Sequence, residues 1–170
     1  MRAITSSSIV DAIASAVRRI NTEIDPSIAA CFKLSQAKAE GIEKKVLDIL
    51  IRNADMAQES KVPLCQDTGL VVVFAQVGMG VSLKEPLDTL VQRGVAKGYT
   101  EGYLRKSIVR DPLYDRTNTG DNTPAIVHIE LVSGDKLTLE IVAKGGGSEN
   151  ASALQMFTPS DDDVAITAWV

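Results

Sequence analysis

The chain has 170 residues, 45% hydrophobic and 24% charged, with aromatics at only 4% and a net charge of −4. That length can bury a core without disulfide or metal staples, and the acidic balance lacks the basic patch that releases counterions from a nucleic acid backbone, which argues against a nucleic acid partner. No apolar run reaches the roughly 18 residues of a membrane helix, and positions 1–20 lack a signal-peptide pattern, so a cytoplasmic protein without a membrane partner is expected.

Residues 4–24 read as a helix, because Ile9, Ile13, Val17, Ile20 and Ile24 recur on one stripe. Thr5 or Ser6 can cap its start and Asp25-Pro26 stops it. A second helical stretch runs from about Pro26 to near Glu40. A third follows, with Ile42, Val46, Ile49, Leu50, Asn53 and Ala57 on one face and Glu43, Lys44, Lys45 and Asp48 on the other. Leu70 to Val77 is a nearly continuous apolar run, the pattern of a buried strand, and Gly78-Met79-Gly80 ends it. Leu83 to Lys97 returns to helical period, with Gly94 and Gly98 at or near its end. Residues 110–124 are dense in Asp, Asn, Thr, Gly and Pro and must be loop. Ala125–Val132 and Lys136–Ala143 alternate at period two around Ser133-Gly134-Asp135, a hairpin signal that puts Leu137, Leu139 and Ile141 inward and Thr138 and Glu140 outward. A last helix begins at Ser160 as N-cap and carries Val164, Ile166, Trp169 and Val170. The order of elements predicts one α+β domain over residues 1–170, with N-terminal helices followed by a largely antiparallel sheet and packed helices. The apolar end in mid-helix predicts truncation at the C-terminus.

Chemistry-bearing residues are sparse. There are two cysteines, Cys31 and Cys65, and one histidine, His128. No Cys-x-x-Cys pair is present, which excludes a zinc ribbon and a thioredoxin-like site, and a reducing cytoplasm argues against a disulfide. Three segments stand out. Val62-Pro63-Leu64-Cys65-Gln66-Asp67-Thr68-Gly69 sets a thiol, an amide and a carboxylate side by side in a turn, although a buried inert thiol followed by turn residues would look the same. Asp115–Pro124 is rich in hydrogen-bonding side chains, as any surface loop can be. Lys144-Gly145-Gly146-Gly147-Ser148 can aim several backbone N–H groups at one anion, or serve as a connector. On residues alone, two other readings stay open: a nucleophilic enzyme using Cys65 and His128 with Asp67 as orienter, and a non-enzymatic anion-binding module built on the glycine nest.

Together the segments resemble one family. Pro63-x-Cys65-Gln66-Asp67-Thr68-Gly69, Gly102-Tyr103-Leu104-Arg105-x-Ser107 before Asp111-Pro112-Leu113, Thr119-Gly120-Asp121-Asn122-Thr123-Pro124-Ala125 with His128 following, and Lys144-Gly145-Gly146-Gly147-Ser148-Glu149-Asn150 are similar, in order, to signatures of the α component of class I iron–sulfur fumarases and L-tartrate dehydratases. The resemblance implies a hydro-lyase acting on a C4 dicarboxylate, fumarate to malate first and L-tartrate to oxaloacetate second, by a [4Fe–4S] cluster held by three cysteines. It implies Cys65 as a cluster ligand, Asp67 as the proton-transfer group, and Gln66, Arg105, Gly146 and Gly147 as contacts to the dicarboxylate substrate. Cys31, outside every motif, is expected to be core packing, and His128 a hydrogen-bonded structural residue. The other two ligands are expected beyond Val170, and further groups in a β component or C-terminal catalytic domain, within an oligomer. This chain alone is therefore expected to bind no iron and to be inactive.

Overall fold

A computed structural model describes residues 1–147 and 153–169, and its core is built where the first helix crosses the fourth. The elements in order are β1 (Arg2–Ala3), α1 (Ser6–Thr22), α2 (Pro26–Gln36), α3 (Gly41–Ser60), β2 (Leu70–Gly78), β3 (Val81–Ser82), α4 (Leu87–Glu101), β4 (Ile126–Val132), β5 (Leu137–Lys144) and α5 (Asp163–Trp169). The α+β class expected from the pattern is observed. Thr5 caps α1 by accepting from the Ser8 N–H. Asp25 caps α2 in front of Pro26, and the Ser27 hydroxyl and amide that donate to it hold its carboxyl below the ordinary range.

The predicted hairpin does not form. The three-stranded sheet runs in the order β4-β2-β5, with β2 parallel to β4 and antiparallel to β5. The sheet is therefore mixed rather than largely antiparallel. The residues around Gly134 arch over the end of β2: the Gly80 N–H donates to the Gly134 carbonyl at 2.7 Å and the Met79 N–H to the Val132 carbonyl at 2.9 Å. A Cβ on Gly78 would lie 2.7 Å from the Gly134 oxygen, so β2 is threaded beneath that connection. β1 and β3 form a separate parallel pair.

One face of the sheet is covered by helices. Val71, Val73 and Ala75 point from β2 into a cluster with Ile9, Ile13 and Val17 of α1 and Leu90, Val91 and Val95 of α4. Leu137, Leu139 and Ile141 join from β5, as their alternation predicts. The other face is open, so Phe74 is 46% exposed and the continuous apolar run is a half-buried strand, not one covered on both sides.

Other expectations change for identifiable reasons. Gly98 lies near the end of α4, but Gly94 lies well inside it, because a close helix crossing needs residues without a side chain there. A Cβ on Gly94 would sit 2.6 Å from Ile13 Cβ, and one on Gly98 2.9 Å from Val17 Cβ. Most of the α3 stripe is not core: Ile42, Val46, Ile49 and Leu50 are exposed, while Ala57 at its end is buried together with Ala54. Cys31 is exposed on α2 and packs in no core. In α5 the Asp162 carboxylate, not Ser160, accepts the Ala165 N–H at the helix start, and Val164, Ile166 and Trp169 are exposed. Val170 and the Ser148-Glu149-Asn150 end of the glycine motif lie outside the described residues. Among the described residues, no helix is long and apolar enough to cross a membrane.

The crossing yields a stability test. Alanine is about 1 kcal/mol better than glycine in a helix interior, whereas overpacking a filled interface costs about 1–3 kcal/mol. The obstacle at Gly94 is a Cβ with no freedom to retreat, so steric cost should win. Gly94→Ala is expected to lower the unfolding free energy by about 1–2 kcal/mol in urea titration. A rise in stability would contradict the packing described.

Candidate active site

The site starts at the end of α3. Lys61 closes that helix in a left-handed conformation (φ 55°), and the chain turns back toward α1. Leu64 is held at both backbone groups: its N–H donates to the Asn21 carbonyl and its carbonyl accepts from Asn53 Nδ2, each at 2.8 Å. The loop after Leu64 is thereby delivered to the mouth of the sheet, beside the C-terminal end of β5. A cleft of about 130 Å³ opens there, lined by Ile20, Cys65, Asp67, Thr68, Ala143 and Gly145 among others.

Asp67 anchors this corner. Its Oδ1 accepts from the Gly69 N–H at 3.2 Å and its Oδ2 from the Gly146 N–H at 2.7 Å. Each oxygen thus receives a backbone donor, the arrangement that suits a carboxylate acting as acceptor. A Cβ on Gly145 would lie 2.9 Å from that same Oδ2. The glycine turn therefore grips the carboxylate of Asp67 through the Gly146 N–H. The Cys65 thiol is exposed at the cleft and donates to the Asp67 carbonyl at 3.3 Å.

The next two residues are fixed from below. Gly69 is left-handed (φ 67°), and a side chain on it would come within 2.5 Å of the Lys144 carbonyl carbon, so only glycine lets β2 start this close to the end of β5. Tyr99, fully buried on α4, donates its hydroxyl between the carbonyls of Thr68 (2.6 Å) and Gly69 (3.0 Å). Burial pushes this phenol up to about 12. Asn122 Nδ2 donates to the Gly69 carbonyl at 2.9 Å, while Asn122 Oδ1 accepts from the amides of Ser107 (2.7 Å) and Ile108 (3.2 Å). Thr68 Oγ1 donates to the Arg105 carbonyl at 2.7 Å.

The structure thus brings Cys65, Asp67, Gly145 and Gly146 together, and draws in Arg105 by its backbone. The side chains of Gln66 and Arg105 are exposed beside this corner, and Gly147 is exposed with open space over its Cα. His128 belongs elsewhere. Its ring stacks on Phe74 at 5.0 Å on the open face of the sheet, which separates it from the Cys65 cleft and leaves a Cys65–His128 pair without support. Asp111 and Asp115 organise the 110–119 loop. The Tyr114 and Leu113 amides hold the Asp111 carboxyl below the ordinary range, and the Thr117 hydroxyl and amide do the same for Asp115. Sequence reading passes over Tyr99 and Asn21, and it marks Asn122 only within its motif and Asn53 only by its place on the α3 stripe. A polar Asn53 on the otherwise apolar stripe of α3 was the available signal. Among the described residues, Ser107 Oγ is a buried side-chain atom without a partner.

Comparison with known proteins identifies the family. The family model described as fumarate hydratase (Fumerase) matches residues 10–170. A protein provisionally named L(+)-tartrate dehydratase subunit alpha from Methanocaldococcus jannaschii is 38% identical over 76% of this chain and 47% of its own length. The aerobic class I fumarate hydratase of Escherichia coli K12 is 35% identical over 74% of this chain and 23% of its length. The L(+)-tartrate dehydratase subunit alpha of Escherichia coli UTI89 is 24% identical over 95% of this chain and 54% of its length. The chain thus spans about half the length of the alpha subunits it matches and about a quarter of the fumarate hydratase.

Tyr99 gives this corner a pH signature. Its folded value of about 12 lies above the free value of 10.0, so its stabilising effect is complete below about pH 10 and is lost as pH rises toward 12. Tyr99→Phe should remove that decline. Urea midpoints of wild type and variant are expected to differ most near pH 9 and to converge by pH 12. A constant difference across this window would place the hydroxyl outside the bonds described.

Proposed function

The chain belongs to the fumarate hydratase (Fumerase) family, and on that premise we propose that it is the N-terminal part of the α component of an iron–sulfur hydro-lyase. Its substrate would be a C4 dicarboxylate, with fumarate to malate first and L-tartrate to oxaloacetate second. The names of the relatives support both substrates. The observation that carries the reading is the shared corner: a thiol at Cys65, a backbone-held carboxylate at Asp67, and the Arg105 segment tied to Thr68 by one hydrogen bond.

Cys65 suits a soft metal ligand, being an exposed thiol at the rim of a cleft, and a thiolate there would be one of the three that a [4Fe–4S] cluster of this family takes. Among the described residues no group of three His, Cys, Asp or Glu is gathered, and Cys31 on α2 is not among the residues that line the cleft, so the other two ligands would come from elsewhere in the complete protein. When bound, the cluster supplies a Lewis-acidic iron toward the substrate hydroxyl and carboxylate.

The chain's own residues do the rest. Asp67, oriented through both oxygens by the Gly69 and Gly146 amides, would move the proton to or from the substrate oxygen. Holding it by backbone donors fixes its direction. Arg105 would grip a substrate carboxylate with two parallel N–H donors. The Gln66 amide and the Gly146–Gly147 backbone would complete the contacts, with Gly146 already committed to Asp67. By analogy with the tartrate dehydratase alpha subunits, a β component or a C-terminal catalytic domain would supply the remaining groups, within an oligomer.

Two measurements on the complete enzyme test this. Cys65→Ser should abolish the cluster, read by anaerobic iron and sulfide analysis and visible absorption; normal cluster content would remove Cys65 as a ligand. Arg105→Lys should keep the cluster yet weaken dicarboxylate transition-state binding by about 2–3 kcal/mol, because an ammonium cannot reproduce a planar two-point grip. Unchanged kcat/KM with both fumarate and L-tartrate would take Arg105 out of the site.

A further inference from the structure

We propose that Thr68 and Asn122 are positioning residues that set Arg105 opposite Asp67, a role that rests on the hydro-lyase reading of the site. Arg105 sits in the irregular stretch between α4 and the 110–119 loop, where no helix or strand fixes it. Asn118 Nδ2 holds the neighbouring Lys106 carbonyl at 2.9 Å, and two further anchors lead to the residues that follow Asp67. Thr68 Oγ1 donates to the Arg105 carbonyl itself at 2.7 Å. Asn122 bridges the Gly69 carbonyl at 2.9 Å to the amides of Ser107 and Ile108 at 2.7 and 3.2 Å. The Arg105 backbone is thus pinned at its own carbonyl and again two and three residues on.

Asn122 has the chemistry this bridge needs. It is 0% exposed and left-handed (φ 64°), a conformation that asparagine tolerates better than most residues other than glycine. Glycine would adopt that φ with less strain but offers no side chain. The two backbone amides require an acceptor and the Gly69 carbonyl requires a donor, and one carboxamide supplies both. Aspartate would keep the acceptor but turn an oxygen on the Gly69 carbonyl. These bonds join two site-bearing loops to each other, which is why their loss should be read in substrate binding. A guanidinium gripping a carboxylate at two points loses much of its hold when displaced by a fraction of an ångström.

The test uses the complete enzyme and the substitutions Thr68→Val, Thr68→Ser and Asn122→Asp. Valine keeps the shape of threonine and removes the hydroxyl, while serine keeps the hydroxyl. Thr68→Val is expected to raise KM for fumarate or L-tartrate about tenfold with kcat within about twofold, and Thr68→Ser to restore KM. Asn122→Asp should raise KM in the same direction if it folds; if it does not fold, the Thr68 pair decides alone. A folded Thr68→Val enzyme with unchanged KM overturns the proposal, and so does a lowered melting temperature without a change in KM, since that is a purely structural role. Wild-type enzyme inactive on both substrates would instead overturn the hydro-lyase reading, and the positioning role with it.

Discussion

Two adjacent backbone carbonyls, those of Thr68 and Gly69, must find donors in a place water does not reach, and much of the site follows from how they are satisfied. A buried carbonyl left unpaired costs about 1–3 kcal/mol. Tyr99 reaches both from α4 and Asn122 reaches Gly69 from the loop before β4. The pair is thereby held between the core helix and two loops. Asp67, immediately before it, inherits that fixity and needs only the Gly146 amide to complete its orientation. The start of β2, the end of β5 and the Arg105 segment are consequently one rigid corner, although they are far apart in the chain.

The α1–α4 crossing supplies the support. Gly94 and Gly98 let α4 settle onto Ile13 and Val17, which brings Tyr99 close enough to put its hydroxyl under the site. Helix packing and the geometry of the Asp67 corner are linked here by one side chain, which runs from the core to the Thr68 and Gly69 carbonyls.

Much of this was legible in the sequence, and the failures are informative. Amphipathic period locates α1, α3 and α4, a nearly continuous apolar run locates β2, and period-two alternation locates β4 and β5, because those signals are local. Strand order is not local. Ser133-Gly134-Asp135 reads as a hairpin turn, yet β2 enters between β4 and β5 because its core-facing Val71, Val73 and Ala75 need a central place under α1 and α4. Gly94 reads as lying near a helix end, as Gly98 does, when the partner helix is unseen. The stripe on α3 was recognised, but periodicity cannot say whether a partner covers it, and Ile42, Val46 and Ile49 are exposed. The Cys65–Gly69 segment and the glycine turn could be marked as chemistry by composition. The contact of Asp67 with Gly146, across 79 positions, and the service of Tyr99 and Asn122 to the site could not, since each depends on tertiary proximity.

The central claim is that the corner formed by Cys65, Asp67, the glycine turn and the Arg105 segment receives a dicarboxylate. A crystal structure of the complete enzyme with a dicarboxylate bound measures this directly. The account predicts one carboxylate of the ligand on the Arg105 guanidinium and the reacting carbon beside the Asp67 carboxylate, with Thr68 and Asn122 keeping their bonds to the Arg105 segment. A ligand seated instead on the open face of the sheet beside Phe74 and His128, with the Asp67 corner empty, would contradict it.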